Sequence, residues 1–99
     1  MLHENDLDLV QSACAGDYAA FAKLYELYLP RVAAFARSEL ADPREAEGLA
    51  AAILDTVFAH LGGYRGRVPL AAWVLVIARR VRALRPPAQA AWSASPAAR

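Results

Sequence analysis

Residues 69–85 read PLAAWVLVIARRVRALR, a run in which large apolar side chains recur at helical spacing. At about 100° per residue, one sector of the predicted helix collects Leu70, Trp73, Val74, Ile77, Val81 and Leu84. Arg79 lies opposite this sector, and Arg80 and Arg82 lie on its two flanks. We therefore predict a helix that packs on a core along one side and carries positive charge on the other.

Three more helices are predicted before this run, separated by residues that favour turns. They cover about 6–15, 17–40 and 42–61, and each begins at an aspartate that can cap it. The predicted caps are Asp6 or Asp8, Asp17 and Asp42. Pro30 lies inside the second helix, where a proline should kink the helix or split it into two end-to-end pieces.

The composition agrees with a helical protein. Alanine accounts for 24 of the 99 residues, and it is the strongest helix former. We predict one all-α domain, a small bundle of about four helices, over residues 6–85, with a flexible N-terminus at 1–5 and a flexible Pro/Ala-rich tail at 86–99. The residues expected to share the core are Phe21, Leu24, Tyr28, Val32, Phe35, Leu49, Ile53, Val57, Leu61, Trp73, Ile77 and Val81.

Enzyme chemistry is not indicated by any group of residues in the sequence. No phosphate-binding glycine loop, metal-ligand cluster or Ser/His/Asp set stands out, so we expect no catalytic residue, metal or cofactor. Cys14 is the only cysteine, which excludes an internal disulfide, and we expect it to be a small buried residue of the first helix. There is no long uncharged apolar run and no secretion signal, so we expect a cytoplasmic protein with no membrane partner.

The charges are divided unevenly along the chain. Residues 1–55 hold all ten acidic residues against four basic ones, a net charge of −6, whereas residues 56–99 hold seven arginines and no acid. This division favours a polyanionic partner for the C-terminal half and a different partner for the N-terminal half. An ordinary solvated basic face is the alternative.

The loop between the third and fourth helices combines an aromatic residue with two arginines. Tyr64 stands between glycines, where a mobile ring could stack on an unpaired base. Arg65 and Arg67, like the arginines of the fourth helix, could contact phosphates. A plain helix–helix connector is the alternative for this segment.

Five segments carry a resemblance to a known family. They are AGDYAAFAKLY at 15–25, YLPRV at 28–32, DPREAEGL at 42–49, FAHLGGYRG at 58–66 and PLAAWVLVIAR at 69–79. In order and without a gap, they are similar to aGDeaAFeeLY, YyPrVyr, DpedAEDL, a stretch ending in fRG, and pfraWLyrIArN. These patterns are those of region two of bacterial sigma factors of the extracytoplasmic-function class, and the chain from Asp8 to Arg85 resembles that region.

The resemblance implies a helical bundle whose third helix binds the clamp helices of RNA polymerase. The polymerase-binding candidates are Glu47, Gly48, Ala51, Ala52 and Asp55. It also implies that the domain helps to melt the promoter −10 element and captures a flipped base in the loop before the fourth helix. Together with the basic residues above, the DNA-binding candidates are Tyr64, Arg65, Arg67, Trp73, Arg79, Arg80 and Arg82. The implied partners are core RNA polymerase and the single-stranded −10 element of promoter DNA, with an anti-sigma factor as a further candidate.

The chain departs from the family pattern on the third helix. Gly48 and the run Ala50–Ala52 stand where the family usually carries an acid and a Thr-Gln-Glu-like triplet, and Arg80 replaces its usual Asn. The family's second domain, which reads the −35 element, has no counterpart in the sequence. The alternative function is therefore a degenerate sigma-like protein that binds an anti-sigma factor, another sigma factor or itself without promoter recognition. In that case the alanine-rich face and Leu75 with Val76 would form the interface.

Overall fold

The structure is a computed structural model that describes residues 4–85. Its elements are α1 (Glu4–Cys14), α2 (Tyr18–Glu39), α3 (Pro43–Ala59), a short 3-10 helix (Leu61–Gly63) and α4 (Leu70–Leu84). Residues 4–85 contain no strand, and the predicted all-α bundle of four helices is confirmed. The predicted tail lies outside the described residues. None of the helices in 4–85 is long and apolar enough to cross a membrane.

Two of the predicted helix caps are present. The carboxylate of Asp17 accepts hydrogen bonds from the amides of Ala19 and Ala20 at 3.0 and 3.3 Å. That of Asp42 accepts one from the amide of Arg44 at 2.9 Å. The predicted cap of α1 is wrong, because α1 begins at Glu4 and therefore contains both Asp6 and Asp8.

Pro30 lies inside a single unbroken helix, so of the two predicted effects, a kink or a split, the split into two pieces is wrong. Proline removes the amide that would bond to the carbonyl of Glu26, four residues before it. Both residues are exposed, so this carbonyl is on the solvent side of the helix. Tyr28 and Val32 are buried on the other side and hold α2 against the bundle across the proline.

The core is formed by α2, α3 and α4, and α1 adds Val10 to it. Of the predicted core residues, those that are buried are Leu24, Tyr28, Val32, Leu49, Ile53, Val57 and Leu61. Those that pack against the core while partly exposed are Phe35, Trp73, Ile77 and Val81.

The predicted side of α4 packs on the core, but Ala78 joins the buried residues and Leu84 does not. Its buried residues are Leu70, Val74 and Ala78, whereas Leu84 is 78% exposed. The short side chain of Ala78 lets α4 approach its neighbours closely, and a prediction based on large apolar side chains overlooked it.

Two further predictions about burial are wrong. Phe21 is 38% exposed, because it lies on a different stripe of α2 from Leu24 and Tyr28. Cys14 is exposed, because α1 ends there and the chain turns away through Gly16, whose φ is 101°.

Candidate nucleic-acid and polymerase surfaces

Tyr64 is enclosed by its surroundings. Its side chain is 3% exposed, its hydroxyl donates a hydrogen bond to the Val68 carbonyl, and its ring meets Trp73 edge-on with centroids 5.5 Å apart. Burial raises the pKa of Tyr64, and the negative charge of Asp6 raises it further, so the hydroxyl stays protonated and donating. The Tyr64 ring is therefore enclosed, whereas stacking on an unpaired base requires an open ring face. Trp73 is half-buried and braces Tyr64 rather than standing open.

The 64–69 loop, which joins the 3-10 helix to α4, presents its two arginines outward. Arg65 and Arg67 are exposed, and Nη1 of Arg65 donates to the Gly62 carbonyl at 3.4 Å. Gly66 between them is buried with a φ of 75°, a left-handed conformation that favours glycine. The backbone thus folds inward at residue 66 while the charged side chains on both sides face solvent.

The arginines of α4 have different surroundings. Arg79 and Arg80 are exposed, as predicted for phosphate contacts. Arg82 is half-buried, and its Nε lies 3.4 Å from Oε1 of Glu39 in α2, at ion-pair distance but without hydrogen-bond geometry. A carboxylate therefore already faces Arg82, which was predicted as an open phosphate contact.

The polymerase-binding candidates lie on two adjacent stripes of α3. Glu47, Ala51 and Asp55 are exposed and four residues apart, so they form one outward-facing line, here called the α3 stripe. Gly48 and Ala52 are half-buried beside it. Only three of the five candidates are therefore fully exposed to a partner.

Gly48 is covered by the end of α4. A Cβ added at Gly48 would lie 2.7 Å from Nη2 of Arg85, so the guanidinium rests directly on the glycine. This contact places Arg85 against α3, and it explains why Gly48 is not fully open to a partner.

An apolar groove lies between α2 and α3 and was not predicted from the sequence. Its lining residues, here called the α2–α3 groove, are Tyr25, Leu29, Ala33, Arg37, Pro43, Ala46, Glu47, Ala50, Ala51 and Leu54. Glu47 and Ala51 also belong to the α3 stripe, so the two surfaces are continuous. Tyr25 and Leu29 are 40% and 39% exposed, large fractions for residues of their size.

An aromatic cluster extends this groove. The rings of Phe21 and Phe58 are tilted against each other with centroids 4.7 Å apart, and the ring of Tyr25 stacks on that of Phe58 with centroids 5.9 Å apart. Residues 21, 25 and 29 are spaced four apart, which is a helical signal in its own right. Of these three, only Phe21 was predicted to be a core residue, together with Leu24, Tyr28 and Val32, and the second apolar face of α2 was not predicted.

A metal centre is not formed by the described residues. Within 4–85, no three His, Cys, Asp or Glu side chains come close enough together to hold a metal ion.

Residues 24–85 match the family described as sigma-70 region 2, which is more than half of the chain. The chain belongs to the sigma-70 region 2 family. The match covers α3, the 64–69 loop and α4, but not α1. Neither the search of curated proteins nor that of solved structures gave a match.

Membership in the family implies a sigma-factor-like role in transcription initiation. Sigma-70 region 2 is a non-enzymatic transcription-factor domain, and its members typically contact core RNA polymerase and promoter DNA.

Proposed function

We propose that this chain acts as a sigma-factor domain that binds core RNA polymerase and the single-stranded −10 element of promoter DNA. The observation that carries the proposal is the exposure of four arginines on a part of the chain that holds no acidic residue. They are Arg65, Arg67, Arg79 and Arg80. No nearby carboxylate of the same segment competes with phosphate for them.

The DNA surface runs along α4. Arg65 and Arg67 precede the helix, and Arg79 and Arg80 lie on its later turns. Leu70 and Arg79 are separated by about 14 Å of helix rise. A stacked strand advances about 3.4 Å per nucleotide, so the two pairs of arginines could hold phosphates about four nucleotides apart.

The polymerase surface combines the α3 stripe with the α2–α3 groove. A helix of the polymerase clamp could lay its apolar face against Tyr25 and Leu29, as amphipathic helices do in apolar grooves. Glu47 and Arg37 at the groove would fix its direction through opposite charges, and Asp55 would extend the contact along α3. The groove thus supplies apolar contact where α3 lacks the hydrogen-bonding groups usual in the family.

The alternative of an interaction module without promoter recognition is not favoured by the family match, which runs through the loop and α4. Leu75 and Val76, expected to serve such a module, are 39% and 59% exposed. Single exposed apolar residues are common on proteins and do not by themselves define an interface.

The proposed DNA surface is tested by the salt dependence of single-strand binding. With four phosphate contacts, the logarithm of affinity should fall with the logarithm of salt concentration at a slope of about −2.8, since each contact contributes about −0.7. Replacing Arg79 and Arg80 together with alanine should halve that slope. The matched control replaces Lys23 and Arg44, two exposed bases of the acidic half, and should leave it unchanged.

Two outcomes would contradict the proposed DNA surface. If the native chain binds no single strand at low salt, or if the control pair weakens binding as much as the α4 pair, the arginines of α4 are not the DNA surface.

A further inference from the structure

Asp6 of α1 makes a hydrogen bond to the residue that directly follows the 64–69 loop. Its Oδ2 accepts the amide proton of Leu70 at 2.9 Å, across 64 positions of sequence. Leu70 is the first residue of α4, and the residue before it, Pro69, offers no side-chain cap. Asp6 therefore supplies from another helix the acceptor that the start of α4 lacks.

Leu7 makes a second contact with the same loop. A Cβ placed on Gly66 would lie 3.2 Å from both Cβ and Cδ2 of Leu7. The side chain of Leu7 is thus packed directly on the loop backbone at the point where it turns inward. Two adjacent residues of α1 hold the loop, one at its middle and one at its end.

Tyr64 is hidden by this arrangement. Its hydroxyl is bonded inside the loop to Val68, its ring is against Trp73 of α4, and Asp6 is close enough to influence its ionisation. Release of the ring would break its contacts with Val68 and Trp73, in a segment that Asp6 and Leu7 also contact.

We propose that Asp6 and Leu7 are positioning residues that hold the 64–69 loop in a closed form, and that α1 thereby limits the access of an unpaired base to Tyr64. The second half of this inference rests on the proposed function, because the base is that of a single-stranded promoter. The controlling residues lie outside the family match of residues 24–85.

The first readout needs no DNA. In a Trp92→Phe chain, Trp73 is the only tryptophan, and acrylamide quenching of its fluorescence reports how well the loop covers it. Asp6→Ala should increase the quenching. Asp8→Ala is the matched control, because Asp8 is an exposed carboxylate of the same helix, and it should leave quenching unchanged.

The second readout is the affinity for a dye-labelled, A/T-rich single strand. Asp6→Ala should bind this strand about three to ten times more tightly than Asp8→Ala. This gain is smaller than the full contribution of one base–aromatic stack to binding. Because both variants lose one negative charge, the difference does not come from net charge. Adding Tyr64→Leu should remove the gain, which a merely structural role of Asp6 would not predict.

Leu7→Ala provides an independent variant if Asp6→Ala does not fold, as judged by circular dichroism. It leaves the charge unaltered and should change both readouts in the same direction. If whichever of Asp6→Ala and Leu7→Ala folds has the same tryptophan quenching and the same DNA affinity as Asp8→Ala, the inference is overturned. If quenching rises but neither the native chain nor the variant binds DNA, the hold of α1 on the loop is supported and the proposed DNA function fails.

Discussion

The hydroxyls of Tyr64 and Tyr28 both favour the neutral form in the folded chain. Burial is the main cause of the raised pKa of each, and the carboxylate of Asp6 raises both further. For Tyr28, the positive charge of Arg31 opposes part of this shift. The folded chain therefore keeps protons that the unfolded chain releases near pH 10. The contribution of these two tyrosines to the free energy of unfolding should be constant below that pH and fall as the pH rises through the folded pKa values.

Replacing Tyr64 with phenylalanine should reduce this alkaline loss of stability. One of the two tyrosines that cause it is removed, so the fall in the free energy of unfolding per pH unit above 10 should be smaller. The variant should also be about 1 kcal/mol less stable at pH 8, because the Val68 carbonyl loses its partner. Urea unfolding between pH 8 and 11 measures both effects. Tyr18→Phe, at a side chain that is 80% exposed, is the control and should alter neither.

The environment of Tyr64 could not be predicted from its neighbours in sequence. Gly63 and Gly66 indicated a turn, and Gly66 does adopt a left-handed conformation. Asp6 and Leu7, which contact this loop and the start of α4, lie about sixty positions earlier in the chain. No local sequence pattern links these two residues to the loop. The exposure of Arg79, by contrast, followed from helical periodicity alone.

Helix boundaries were largely predictable because they depend on local chemistry. Asp17 and Asp42 cap their helices through their own nearby amides, so sequence alone placed the starts of α2 and α3. The α2–α3 groove was not predicted, because which of two apolar stripes on α2 becomes buried depends on how the helices pack. Gly48 was assigned to an open face for the same reason, since only the packed structure brings Arg85 onto it.

Replacing Gly48 with alanine should stabilise α3. Alanine in a helix interior is favoured over glycine by about 0.5–1 kcal/mol. The added methyl group would meet only the end of the flexible Arg85 side chain, which can move aside at little cost. The free energy of unfolding in urea should therefore rise by about that amount. Ala51→Gly, at an exposed position of the same helix, should lower it comparably.

A loss of stability in Gly48→Ala would show that Arg85 is fixed in place. The double variant Gly48→Ala with Arg85→Ala then separates the helix propensity of alanine from its steric contact with Arg85. It keeps alanine at position 48 and removes the guanidinium that the methyl group would meet.

The whole molecule presents two chemically different surfaces built from different residues. One is apolar with acidic neighbours, formed by the α2–α3 groove and the α3 stripe, and the other is the basic surface of the 64–69 loop and α4. The uneven distribution of charge along the sequence predicted that two kinds of partner would be needed. Where each surface lies on the bundle depended on packing, and so required the structure.

The most direct test of the proposed sigma-factor role is the equilibrium affinity of the chain for core RNA polymerase. Leu29 and Leu27 both lie on α2 and are 39% and 46% exposed, but only Leu29 lines the α2–α3 groove. The native chain should bind saturably, and Leu29→Asp should bind at least about tenfold more weakly, since burying one leucine contributes about 1.5–3 kcal/mol. Leu27→Asp should bind like the native chain. Absence of saturable binding by the native chain, or equal losses in the two variants, would contradict the account.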